Sequence, residues 1–151
     1  MTDTPVQADR GAYVRSLGIE VVEWREGFAR ITMPIQPVFL NRSGVLHGGL
    51  IAILLDTVGG YAGTWCSRPG HVRHAVTVSM TTHFTGQSKA GLLSAVGRHR
   101  GGGRNIFFSS AEVLGEDGAM LGFGDGVYRY RKGSHDVAGV PVEEGAAGGL
   151  S

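Results

Sequence analysis

One histidine, two glycines and an acid carry the chemistry most visible in this chain. The stretch reads Asn41-Arg42-Ser43-Gly44-Val45-Leu46-His47-Gly48-Gly49, followed by an apolar run from Leu50 to Trp65 that holds a single acid, Asp56. Leu50, Ile51, Ala52, Ile53, Leu54, Leu55, Val58, Tyr61, Ala62 and Trp65 fall on nearly every side of a helical period, which predicts a buried helix. A lone carboxylate is costly to desolvate there, so Asp56 needs a partner or a chemical task. At the other end, His47-Gly48-Gly49 puts unpaired N–H groups and the positive end of the helix dipole together, where developing negative charge is welcome. The segment therefore offers an oxyanion binder and a carboxylate.

Their spacing bears on assembly. Gly48 and Asp56 are eight residues apart, roughly 12 Å along a helix axis. One helix does not readily bring both to a single carbonyl. Two antiparallel copies about a two-fold axis place Gly48 of one beside Asp56 of the other, and two-fold homodimers are the commonest oligomers. Gly59, Gly60 and Gly63 add to this reading. Each costs about 1 kcal/mol relative to alanine inside a helix, so a close neighbour, a sheet or a second helix, must offset them.

The elements that position these residues are legible as patterns. Residues 1–9 are polar and predicted mobile, and Ala12 to Leu17 form a short helix. Ile19 to Trp24 and Phe28 to Ile35 read as strands around a Glu26-Gly27 turn. Val38 to Leu46 is loop and the long helix follows, from about Gly48 to Trp65. Val76 to Phe84 alternates with period two, with Thr77, Ser79, Thr81 and His83 on its polar face. Leu92 to Arg100, Arg104 to Leu114 and Met120 to Tyr130 are three more strands, separated by Gly101-Gly102-Gly103 and Glu116-Asp117-Gly118 turns. Two strands, a helix and four strands predict an α+β domain with an antiparallel sheet, spanning 10–131. Residues 132–151 are rich in Gly, Ala, Pro and Glu and read as a disordered tail.

Composition narrows the function classes. The chain has 151 residues, 42% hydrophobic and 18% charged, with net charge +1. That fits one soluble domain and no strong field toward nucleic acid or an anionic membrane. Asp56 interrupts the only membrane-span candidate. The first residues lack the basic and apolar regions of a secretion signal, so a cytoplasmic address is expected. Cys66 is the single cysteine, which excludes an internal disulfide. His71, His74 and His83 lack a nearby carboxylate or thiolate partner set, so no metal is expected. Trp24, Phe107 and Phe108 read as core or interface.

Asn41, Gly44, His47, Gly48, Gly49 and Asp56, in this order and spacing, resemble the hotdog-fold acyl-CoA thioesterases of the phenylacetate-degradation (PaaI) type. The resemblance extends to Thr77 and covers roughly residues 15–131. It implies a long central helix wrapped by a curved antiparallel sheet. It also implies an acyl-CoA substrate, no cofactor, and a homodimer with shared active sites, itself paired into a dimer of dimers. By the same resemblance the Gly48 N–H faces the thioester oxygen, and Asp56 of the partner subunit activates water or attacks directly. Asn41 positions the nucleophile or the thioester, Thr77 supports the water, and His47 and Gly49 complete the turn. Coenzyme A carries phosphates, which Arg98, Arg100 and Arg104 around the triple-glycine turn suit. The chain departs from the family after Phe84, where Thr85-Gly86-Gln87 stands instead of a proline-containing turn. Two rival readings are a hotdog dehydratase or hydratase and an acyl-CoA sensor without hydrolysis. The second would be expected to lack Asp56 and to carry a DNA-binding segment.

Overall fold

The computed structural model describes residues 11–143; the predicted mobile residues 1–9 and the tail beyond 143 lie outside the described residues. A short helix, α1 (Gly11–Ser16), precedes the hairpin β1 (Glu20–Arg25) and β2 (Phe28–Pro34). A 3-10 turn at Pro37–Phe39, within the stretch read as loop, leads to α2 (Gly48–Gly63). There follow β3 (His71–Val72), β4 (Ala75–Phe84), β5 (Leu92–Gly102), β6 (Ile106–Leu114), β7 (Met120–Tyr130) and β8 (Val140–Pro141). Six strands form one antiparallel sheet in the order β1-β2-β5-β6-β7-β4, and α2 packs across all six. This is the hotdog arrangement, α+β, with one long helix against a large antiparallel sheet. Among the described residues no helix is long and apolar enough to cross a membrane.

The core lies between α2 and the inward-facing residues of the strands. Ile31, Met33, Leu93, Ala95 and Val113 meet Ile51, Leu54, Leu55 and Val58, all buried. The helix is not covered all round, as its apolar run suggested. Gly49, Ala52, Ile53, Asp56 and Gly60 form a stripe that one protomer leaves open or half open.

The helix glycines answer the question their cost raised. A Cβ at Gly59 would run into the Tyr128 hydroxyl, one at Gly63 into the Phe107 ring, and one at Gly97 of β5 into the Val58 carbonyl. Helix and sheet thus approach at backbone distance, and two aromatic rings occupy the space a methyl would take. Phe107 is fully buried and stacks on Tyr128 with 4.9 Å between ring centroids. Gly63→Ala should therefore destabilise the protein by about 1–3 kcal/mol, the usual cost of overpacking, despite alanine's helix propensity. Gly60→Ala meets Tyr128 only at 3.7 Å and should gain up to about 1 kcal/mol. Urea unfolding of both variants checks the opposite signs.

Two readings from the sequence need correction. The alternation along β4 is broken by a bulge between Thr77 and Ser79, where Thr77 pairs with Tyr128 and Ser79 with Val127. The extra residue, Val78, shifts the side-chain parity. Thr77 therefore shares the inward face with Met80, Thr82 and Phe84 rather than the outward face with Thr81 and His83.

The second correction concerns residues 132–143, which are placed rather than disordered. Arg73 donates to the carbonyl oxygens of Ser134 (2.9 Å), His135 (3.2 Å) and Trp65 (3.1 Å), and its guanidinium lies 4.6 Å over the Tyr130 ring. The Ser134 hydroxyl accepts from His74 N–H at 2.9 Å and Ser134 is fully buried. The Cys66 thiol donates to Ala138 O at 3.3 Å, and β8 pairs with β3. These bonds satisfy a glycine-rich backbone that has few apolar groups of its own to bury.

Candidate active site

His47 ends the loop and caps α2. Its backbone is extended (φ −64°, ψ 133°), and its Nδ1 accepts the Gly49 N–H at 2.9 Å. An accepting Nδ1 carries no proton, so the proton of the neutral ring sits on Nε2. The cap consumes the Gly49 N–H, while the Leu50 N–H goes to His47 O at 3.0 Å. Among the described residues nothing accepts the Gly48 N–H. It points out of the first turn of the helix, at the positive end of the dipole. Phe84 lies alongside: a methyl at Gly48 would sit 3.2 Å from its Cε1.

Asn41 shapes the loop before the cap. Its Oδ1 accepts the N–H of Ser43 (2.9 Å) and of Val45 (3.3 Å). Its backbone exchanges bonds with Val45 and Gly44, and His47 N–H donates to Phe39 O at 2.9 Å. The carboxamide oxygen is spent on this turn. The exposed side chain keeps its NH2 as the free end.

Asp56 sits at the far end of the helix stripe, half-buried. Thr77 Oγ1 donates to its Oδ1 at 2.7 Å, and no described residue donates to its other oxygen. The threonine thus fixes the carboxylate rotamer and leaves Oδ2 open. The Tyr128 hydroxyl donates to the Asp56 backbone carbonyl at 3.2 Å. Burial first, and the Asp56 charge second, hold the Tyr128 phenol well above its ordinary pKa. It stays a protonated donor throughout the working range. A cavity of about 330 Å³ opens beside the carboxylate, walled by Tyr13, Thr57, Thr64, Arg73, His74 and Tyr128 among others. Tyr13 shares a 3.3 Å hydrogen bond with Thr57 across it.

Within one chain, then, two half-sites form. One holds Asn41, His47, Gly48 and Gly49; the other holds Asp56 and Thr77. The three arginines join neither. Arg98 and Arg100 lie on the sheet face turned away from α2, in a cleft that also holds Glu112 and Asp125. Arg98 stacks 5.0 Å over Phe28, and Arg100 donates to Ser110 Oγ at 2.6 Å. Arg104 is exposed at the β5–β6 turn. Sequence reasoning missed Tyr128, Tyr13 and Arg73. The one available signal for Tyr128 was the paired glycines Gly59 and Gly126, both of which a side chain would drive into its ring.

The family model for the thioesterase superfamily matches residues 43–121, which includes His47, Gly48, Gly49, Asp56 and Thr77 and leaves Asn41 just outside. The acyl-coenzyme A thioesterase PaaI of Escherichia coli is 28% identical over 137 residues, covering 90% of this chain and 90% of that protein. The solved structure of the Escherichia coli PaaI protein, from the phenylacetic acid degradation operon, superposes with a TM-score of 0.73 at 28% identity, over 83% of this chain and 88% of that one. A conserved protein from Pseudomonas aeruginosa matches with a TM-score of 0.71 at 28% identity, over 80% of this chain and 94% of that one.

Proposed function

The chain belongs to the thioesterase superfamily, and from that premise we propose that it hydrolyses an acyl-CoA thioester in a site built by two copies of itself. The relative matched over 90% of this chain is named an acyl-coenzyme A thioesterase, which supports this reading. One observation carries the two-copy reading. Gly48 packs beside Phe84 and Asp56 bonds Thr77, so the two half-sites lie toward opposite ends of β4.

β4 is an edge strand. Among the described residues only β7 pairs with it, and its ten residues carry exposed Val76, Val78 and Phe84. A long exposed edge is a template for a second strand. Antiparallel pairing of two β4 strands about their middle brings the Phe84 end of one against the Thr77 end of the other. Gly48 of each copy then faces Asp56 of its partner, and the open stripes of the two helices come together.

In that site the Gly48 N–H binds the thioester oxygen and strengthens its hold as negative charge develops there. Asp56 of the partner, held by its own Thr77, takes a proton from water through Oδ2 while the water adds to the carbonyl carbon. The tetrahedral intermediate collapses, the carbon–sulfur bond breaks, and the proton returns to the departing thiolate. On the alternative route the same carboxylate oxygen attacks the carbonyl carbon, the carbon–sulfur bond breaks to expel the thiolate, and water then hydrolyses the resulting anhydride to release the acid and restore Asp56. His47 sets the turn through Nδ1, which accepts from Gly49. Arg98, Arg100 and Arg104 are our candidates for the nucleotide phosphates of coenzyme A.

Release of free thiol across a panel of acyl-CoA esters tests the activity. Turnover of at least one ester is expected. Tight binding of an ester with no turnover of any would support the sensor reading instead. The same assay tests the arginines. Alanine at the one that grips a phosphate should raise KM for the CoA ester by about tenfold or more, the scale of a charge-assisted hydrogen bond. It should leave KM for the matching pantetheine ester unchanged. Equal effects on both esters would remove the arginines from the site.

A further inference from the structure

We infer that Phe84 is a specificity-determining residue that packs against the acyl group beside the Gly48 N–H. The inference rests on the reading of Gly48 as the oxyanion donor. Phe84 ends β4 on the inward face, paired with Gly122. Its ring is 58% exposed in one protomer, unusual for a large aromatic directed toward the core side of a sheet. Three of its carbons would lie 3.2–3.6 Å from a methyl at Gly48. The ring therefore borders the Gly48 N–H, which no described residue accepts.

A carbonyl oxygen bound at that N–H holds its carbon within reach of the ring. Two substituents flank that carbon. The pantetheine arm is a chain of amides that needs hydrogen-bonding partners, and a phenyl face supplies none. The acyl side is the one that gains from apolar contact. The surroundings agree. The Asp56 cavity mixes hydroxyls, an imidazole and a guanidinium with the rings of Tyr13, Tyr61 and Tyr128, whereas Phe84 offers a wholly apolar ring directly beside the Gly48 donor. Glycine at position 48 lets the ring lie close against the donor, since a Cβ there would sit 3.2 Å from the nearest ring carbon.

The bulge at Val78 is what makes this possible. It puts Thr77 and Phe84 on the same face of β4. In a two-fold pairing of β4 strands, Phe84 of one copy faces the Asp56–Thr77 pair of the other. The ring then contacts the acyl group between donor and base.

The test is kcat/KM for wild type, Phe84→Ala, Phe84→Leu and Phe84→Tyr across acetyl, hexanoyl, decanoyl and benzoyl CoA esters. Sedimentation verifies that each variant keeps the wild-type oligomeric state. Phe84→Ala should lose about ten- to two-hundred-fold on the esters whose acyl group reaches the ring, the scale on which apolar pockets discriminate. It should change acetyl-CoA by less than about threefold. Phe84→Tyr should restore the wild-type order of preference. Phe84→Leu, which keeps apolar contact on the strand, should shift the ratio of benzoyl to hexanoyl turnover. An equal loss on all four esters, or no change in their ratios for any of the three variants, overturns the inference. Failure of the wild-type protein to release thiol from any ester overturns the underlying reading instead.

Discussion

Asp56→Asn should abolish most of the turnover while leaving the fold intact. The amide keeps the shape of the carboxylate, and its oxygen still accepts the 2.7 Å bond from Thr77. What it loses is the ability to take a proton or attack a carbonyl. Positioned acid–base catalysis is worth about 10²–10⁴ in rate, so kcat on the best acyl-CoA ester should fall by at least that range. KM should change little, because on either route the carboxylate acts in the chemical step and not in holding the ester. Circular dichroism and urea unfolding should match the wild type, since the residue is only half-buried. A folded Asp56→Asn protein with near-wild-type kcat would remove Asp56 from the chemistry.

The contrast between what the sequence reveals and what it conceals has a physical basis. The Asn41 to Asp56 segment was legible because its chemistry is local: a cap, a helix start and an acid at fixed offsets. The strands of the sheet were legible because period-two patterning is local too. The bulge in β4 was not, because it is defined by the pairing of Thr77 and Ser79 with Tyr128 and Val127, some fifty residues further along the chain. Without it Thr77 reads as a residue of the outward face, although its hydroxyl is the group that holds Asp56. The stretch 132–143 was hidden for a similar reason. Its composition is that of a disordered tail, and its order comes from distant partners: Arg73, which binds two of its carbonyls, together with His74, Cys66 and strand β3. Arg73 lies in His71-Val72-Arg73-His74, where the histidines drew attention as metal ligands and the arginine did not. Asn41 was read both as a turn-former and as a site residue. Its carboxamide oxygen is used in the turn, which leaves its NH2 as the group available to substrate.

The central claim, that donor and base come from different copies, is tested most directly by pairing two inactive variants. Asp56→Asn removes the base. Gly48→Pro removes the N–H donor at the first position of α2, where proline is well tolerated in a helix. The preceding His47 is already in the extended conformation that a following proline requires. Each variant alone should be nearly inactive. Co-expression with random pairing makes about half the dimers mixed. In each mixed dimer one site collects both lesions and the other collects neither, so about a quarter of wild-type kcat should return. If donor and base belonged to one chain, every site would keep one lesion. A preparation shown by native mass spectrometry to contain the mixed dimer, yet with no more activity than either variant alone, would contradict the shared site.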